Sequence, residues 1–257
     1  MTGSEDSPSF RLAYVPGVTP TKWVRIWNER LPEVPLTLVG VPAAEACDVL
    51  RAGGADAGFV RLPADRTDLS AIPLYTETTV VVVPKDHVVA AVDEVSAEDL
   101  ADELVLHPLD DTLDWERPPG RPAIERPATT ADAIELVAAG VGLLVVPQSI
   151  ARLHHRKDLT YRPVSDVPQS RVALSWPEEE TTDLVEQFIG IVRGRTVNST
   201  RGRPQTPAQP KGKRPEARGA QRKPAGGKST GKPAGKSARG GTGGTKGGKR
   251  GKPRRRS

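Results

Sequence analysis

The stretch FRLAYVPGVTPTKWVRIWNERLPEVPLTLVGVPAAEACDVLRAGGADAGFVRLP (residues 10–63) switches repeatedly between two hydrophobic periods. Residues 10–17 alternate as a strand does and stop at Pro16-Gly17. Thr19 is then placed to cap a helix, with Pro20 at the first helical position, where a missing N–H costs nothing. Trp23, Ile26, Trp27 and Leu31 recur at helical spacing, and Pro32 and Pro35 close that helix. Residues 35–42 read as a second strand, 43–54 as a helix ending on paired glycines, and 55–63 as a third strand. Strand, helix, strand, helix, strand is the signature of a parallel α/β sheet.

Further along, residues 72–84 form a long strand pair broken near Glu77 and Thr78. Ser96 and Asp99 open a short helix over SAEDLADE, a weak variant of the capping box. Residues 104–106 are another strand, and the Pro-rich segment 107–128 carries no readable element. Thr130 is expected to cap a helix ending at Gly140, followed by the strand GLLVVP and a short helix over 148–154 begun by Pro147. YRPVS and RVALSWP complete the strands. A last helix over 181–194 sets Leu184, Val185, Phe188, Ile189 and Val192 on one face.

The overall charge of +5 is the average of two unlike parts. Residues 201–257 hold 19 lysines and arginines against one acid, Glu216, a net of +18. Residues 1–200 hold 18 basic and 31 acidic residues, a net of −13. The tail's only apolar side chains are alanines, so burial cannot offset roughly 1–2 kcal/mol of backbone entropy per ordered residue. Disorder is therefore expected over 197–257, and also over 1–9. A single cysteine, Cys47, excludes an intramolecular disulfide and a thiolate metal cluster, and it is expected to pack in the core. The N-terminus is not a secretory signal, and no apolar run is long enough to span a bilayer, so a cytoplasmic location is expected, with nucleoid association open to it through the basic tail.

YVPGVTPTKW, DAGFVRLP, VVVVPKDH and AIELVAAGVGLLVVPQSIAR, in this order and spacing, resemble the effector-binding domain of LysR-type transcriptional regulators. The resemblance spans residues 10–196. It implies an α/β fold of the type II periplasmic-binding-protein kind, with two lobes joined by two crossover strands. Lobe 1 would take about 10–78 and 176–195, and lobe 2 about 79–173, with the crossings near 78–80 and 174–176. It also implies a small-molecule effector bound between the lobes, and a homodimer. Members of the family usually begin with a winged helix-turn-helix and a linker helix. Only nine residues precede the first strand here, so both are expected to be absent and base readout by a recognition helix with them.

In open α/β sheets ligands sit beyond the carboxyl ends of strands, where helix N-termini offer unpaired N–H groups to anions. Such junctions occur at 16–20, 41–44 and 127–130. The ligand-binding candidates are therefore Val18, Thr19, Pro42, Ala43, Arg61, Leu62, Thr129, Thr130 and Pro147, with Arg61 as countercharge to a small organic acid. Against this stands a plain alternative: Thr19 and Thr130 only cap helices, and Arg61 is a solvated surface residue.

Nothing in the sequence asks for catalysis: there is no G-x-S-x-G, no H-E-x-x-H, and no G-x-G-x-x-G after a strand. No cofactor and no metal are expected. His154 and His155 are adjacent and point apart, and Asp110, Asp111, Asp114 and Glu116 read as a solvated acidic loop. Trp23 and Trp27 read as core. In the tail, KPAGK, KSARG and PRRRS resemble the basic tails of nucleoid and linker-histone proteins. Its nucleic-acid candidates are Lys211, Lys213, Arg214, Lys249, Arg250, Lys252, Arg254, Arg255 and Arg256, contacting phosphates without reading bases. The leading function is a non-enzymatic effector sensor linked to transcription regulation; the main alternative is a nucleic-acid-associated accessory protein whose domain no longer binds ligand, and an enzyme of the same fold is a distant third.

Overall fold

In the computed structural model, which describes residues 8–195, the opening segment builds a sheet in the expected order. β1 (Phe10–Tyr14), α1 (Thr21–Arg30), β2 (Leu36–Gly40), α2 (Ala46–Arg51) and β3 (Ala57–Leu62) follow one another, and β1 pairs parallel with both β2 and β3. β4 (Leu69–Glu77) then leads out of this lobe, and β5 (Thr79–Pro84) begins the second, with the break at Thr78. Lobe 2 continues through β6 (Val95–Ser96), β7 (Leu104–Leu106), β8 (Arg121–Pro122), α3 (Thr130–Ala138), β9 (Leu143–Pro147), α4 (Gln148–Leu153) and β10 (Leu159–Ser165). The chain returns as β11 (Ser170–Pro177) and ends in α5 (Asp183–Val192). The strand orders are β2-β1-β3-β11-β4 in lobe 1 and β6-β10-β5-β9-β7-β8 in lobe 2.

Each lobe has its own core, and the valine run of β5 explains lobe 2. Successive side chains on a strand face opposite ways. Val80 and Val82 therefore join Ile134, Val137 and Ile150 under α3 and α4, while Val81 and Val83 join Leu100, Leu113 and Val164 on the other face. In lobe 1 the stripe of α1 meets that of α5 over an aromatic cluster. Trp27 stacks on Phe10 with ring centroids 4.5 Å apart, and Phe188 lies 5.2 Å from Phe10. Cys47 and Trp27 are buried there, and Trp23 packs half-buried on Phe59.

Four expectations are corrected. The second crossing lies before Ser170 and not at 174–176, because β11 is zipped along its length between β3 and β4 of lobe 1. SAEDLADE forms a single 3-10 turn, Glu98–Leu100, after the short β6; Ser96 and Asp99 do bond reciprocally, but the chain must turn at once to enter β7. The Pro-rich stretch supplies an edge strand, β8, beside β7. Lastly, both threonine caps move. Pro20 already has helical torsions and no side-chain bond caps α1, so Thr19 is not a cap. At α3 the cap is Thr129, in a reciprocal box with Asp132, and Thr130 is the first helical residue. The tail and its nine basic candidates lie outside the described residues.

Candidate functional site

A cleft of about 920 Å³ opens between the lobes. Its lobe 1 wall is the β1–α1 turn and the β2–α2 turn; its lobe 2 wall is the N-terminal end of α3, the end of β9 and α4. Both walls are carboxyl ends of strands followed by helices, the arrangement the sheet topology dictates. Of the nine ligand-binding candidates, Val18, Thr19, Pro42, Ala43, Thr129, Thr130 and Pro147 line this cleft. Arg61 and Leu62 do not. Leu62 packs into the lobe 1 core, and Arg61 is only 5% exposed. The Arg61 guanidinium is bound to Glu77, 2.6 Å away, so its charge is already answered inside the protein.

The anion sites expected at helix starts are likewise unequal. At α3 the donors are occupied from within. Asp110 Oδ1 accepts from the Thr130 backbone N–H at 2.7 Å and from its hydroxyl at 2.8 Å. Asp132 takes the Thr129 N–H, and Thr129 Oγ1 takes the Asp132 N–H. At α1 no side chain does this, and the exposed Thr19 stands beside it. The cationic side chain that does line the cleft comes from α4. Arg152 lines the cleft, and its Nε donates to the Tyr161 hydroxyl at 3.2 Å, which steers the guanidinium. Ser149 lines it three residues earlier, on the same face of the helix. That i, i+3 spacing after Pro147 was the available signal for Arg152. His154 completes this edge.

A second hollow, about 690 Å³, lies against the Pro-rich loop and is walled by Trp115, His107 and Leu113. Asp111 organises it, accepting from Trp115 Nε1 at 2.8 Å and standing 3.4 Å from His107 Nδ1. Among the described residues no acidic, histidine or cysteine group is arranged to hold a metal. Burial pushes the pKa of His107 down; Asp111 pulls it up, and Arg126 pushes it further down. The folded protein thus takes up this proton at lower pH than the unfolded chain does. Its contribution should be intact above about pH 6.5 and be lost as pH falls from there through the folded value. Thermal melts at several pH values should show His107→Gln with a shallower loss on acidification than wild type. Parallel curves would contradict the assignment.

The family model described as LysR substrate binding domain matches residues 3–196. The chain belongs to the LysR substrate-binding domain family. A Mycobacterium avium protein named "Probable hydrogen peroxide-inducible genes activator" is 35% identical over 144 residues, 52% of this chain and 46% of that protein. The HTH-type transcriptional regulator AlsR of Bacillus subtilis is 26% identical over 179 residues, 65% of this chain and 59% of AlsR. The chain thus spans roughly half of these relatives' lengths. Among solved structures, the BenM effector binding domain with its effector benzoate superposes with a TM-score of 0.62 at 20% identity. It covers 73% of this chain and 91% of that one, and it shows the shared two-lobed fold. Among the described residues no helix is long and apolar enough to cross a membrane.

Proposed function

We propose that this chain is a non-enzymatic sensor that binds a small organic acid between its lobes and takes part in transcription regulation, with a basic tail that grips nucleic acid without reading sequence. The observation that carries the sensor reading is the cleft itself: Val18, Val41 and Pro42 on one wall face Val146, Pro147 and Ile150 on the other, with Arg152 and Ser149 brought to one edge. A mostly apolar hollow with a few convergent polar groups suits a small ligand. A carboxylate would be held by the Arg152 guanidinium, helped by the open N-terminus of α1, while the Asp110-filled end of α3 would take an uncharged part of the ligand. BenM binds benzoate as its effector, so aromatic acids belong in the first panel of probes.

The test is a thermal-shift titration with aliphatic and aromatic acids, benzoate included. A binder at a hundred times its Kd should stabilise by about 2.7 kcal/mol through mass action, a shift of several degrees. Arg152→Ala should weaken any acid so found by about 10- to 100-fold, the loss of a charge-assisted bond, with the apo melting temperature little changed. If no acid shifts the wild type, the organic-acid reading is wrong. An acid that binds the variant equally well would move the carboxylate away from Arg152. The tail reading rests on the charge of +18 over residues 201–257. A nucleoid-associated cytoplasmic location goes with it.

A further inference from the structure

Five groups meet where the lobes join. Glu77 is the last residue of β4, directly before the first crossing, and Ser170 is the first residue of β11, directly after the second. Arg61 reaches both: its Nη1 donates to Glu77 Oε2 at 2.6 Å and to Ser170 Oγ at 2.7 Å. Its Nη2 donates to Pro16 O and to Ser149 Oγ, each at 3.0 Å. Ser149 belongs to α4 in lobe 2, and its hydroxyl donates in turn to the same Glu77 Oε2 at 2.9 Å. Close by, the Thr79 hydroxyl donates to Pro168 O at 2.5 Å, tying one crossing to the other.

Gly17 shows how tight the junction is. A Cβ at this position would stand 2.5 Å from Ser149 Oγ, 2.9 Å from Arg61 Nη2 and 3.0 Å from Ile150 Cδ1. Its φ of 82° also favours glycine. The lobe 1 backbone can therefore touch α4 only because residue 17 has no side chain.

We infer that Arg61, Glu77 and Ser149 are positioning residues, a clasp across the lobe junction that sets the spacing of the cleft walls. Pro16, Gly17 and Ser149 all line the cleft, so the bonds that close the clasp also fix where both walls stand. The guanidinium fork has fixed donor directions. One arrangement of the lobes satisfies Glu77, Ser170, Pro16 and Ser149 together, and opening α4 away from lobe 1 strips Glu77 and Arg61 of a shared partner. Ser149 is the lobe 2 member of the set, so the clasp can be released from that side while the ion pair stays made. What the spacing means for ligand binding rests on the sensor reading. The clasp itself is tested without ligand.

The experiment is hydrogen–deuterium exchange on the unliganded full chain, comparing wild type with Ser149→Ala and with Gly17→Ala. Glu77→Gln is the direct variant, but it leaves a buried charge short of its partner and risks the fold; these two do not unpair it. Both should speed exchange about tenfold in peptides covering 76–79, 147–150 and 166–170, where backbone bonds such as Gln148 N–H to Thr78 O lie. Amides of β1, β3 and β7, within the lobe cores, should keep their wild-type rates. Unchanged exchange at the crossings in both variants overturns the clasp. Equal speeding throughout both sheets also overturns it, since that reports lost stability and not lost positioning. The local pattern alongside an acid panel without binders would leave the clasp standing and remove the sensor reading.

Discussion

Glu77→Ala should lower the free energy of unfolding by about 3–5 kcal/mol, the loss seen when one partner of a buried ion pair is removed. The side chains of Arg61 and Glu77 are 4% and 9% exposed, so the charge left on Arg61 would be largely shielded from bulk water. The guanidinium would keep three neutral acceptors and no counterion. It has little margin, because its buried Nε already lacks a partner. The pair is not expected to stabilise the fold relative to an apolar substitute. Desolvating two charges costs about as much as their attraction returns. The double variant Arg61→Met/Glu77→Leu should therefore recover more than half of the single loss, giving a large coupling in a double-mutant cycle. Denaturant unfolding of wild type, Arg61→Met, Glu77→Leu and their double variant measures the coupling, and that of Glu77→Ala measures the single loss. A loss below about 1 kcal/mol in Glu77→Ala would mean the pair is solvated in solution and behaves as a surface bridge. A pair that is costly to break yet replaceable serves geometry more than stability, which is the role the clasp gives it.

Most of the fold could be read in the sequence because it depends on local patterns. The alternation of β1, the stripe of α1 and the valine run of β5 are fixed by which way neighbouring side chains point. The cleft was legible in outline for the same reason: strand ends followed by helix starts can be found along the chain, and Thr19, Pro42 and Thr129 are such positions. What could not be read depends on partners distant in sequence. Arg61 at the end of a strand looks like a solvated charge or a ligand's countercharge. Its partners are 16, 45, 88 and 109 residues away. Asp110 filling the α3 start is the same kind of event: the Pro-rich loop carries no period, yet its fold decides whether Thr130 faces a ligand or an internal carboxylate. The place of the second crossing also escaped, since RVALSWP is equally apolar on either side of a hinge. Only its pairing with β3 and β4 assigns it to lobe 1.

The largest effect is expected from removing the tail. Residues 201–257 carry +18 while the preceding 200 residues carry −13, so the two parts should respond to a polyanion with opposite sign. If on the order of six to ten tail cations neutralise phosphates, duplex affinity should fall about 10³–10⁵-fold between 50 and 200 mM salt, by counterion release. Cutting the chain before Arg201 should abolish retention on DNA at every salt concentration, because the remaining acidic body is repelled. The same slope should appear on unrelated duplex sequences, since phosphate contacts carry no base information. Single strands should bind without extra affinity, as no aromatic residue interrupts the tail to stack on bases. Filter binding or anisotropy with two unrelated duplexes at several salt concentrations reads all of this. Retention that persists after the cut, or that ignores salt, would place nucleic-acid contact elsewhere or deny it. Preference for one duplex would show that something reads bases. If no DNA is retained at all, the tail's charge would serve an acidic protein partner or the body itself.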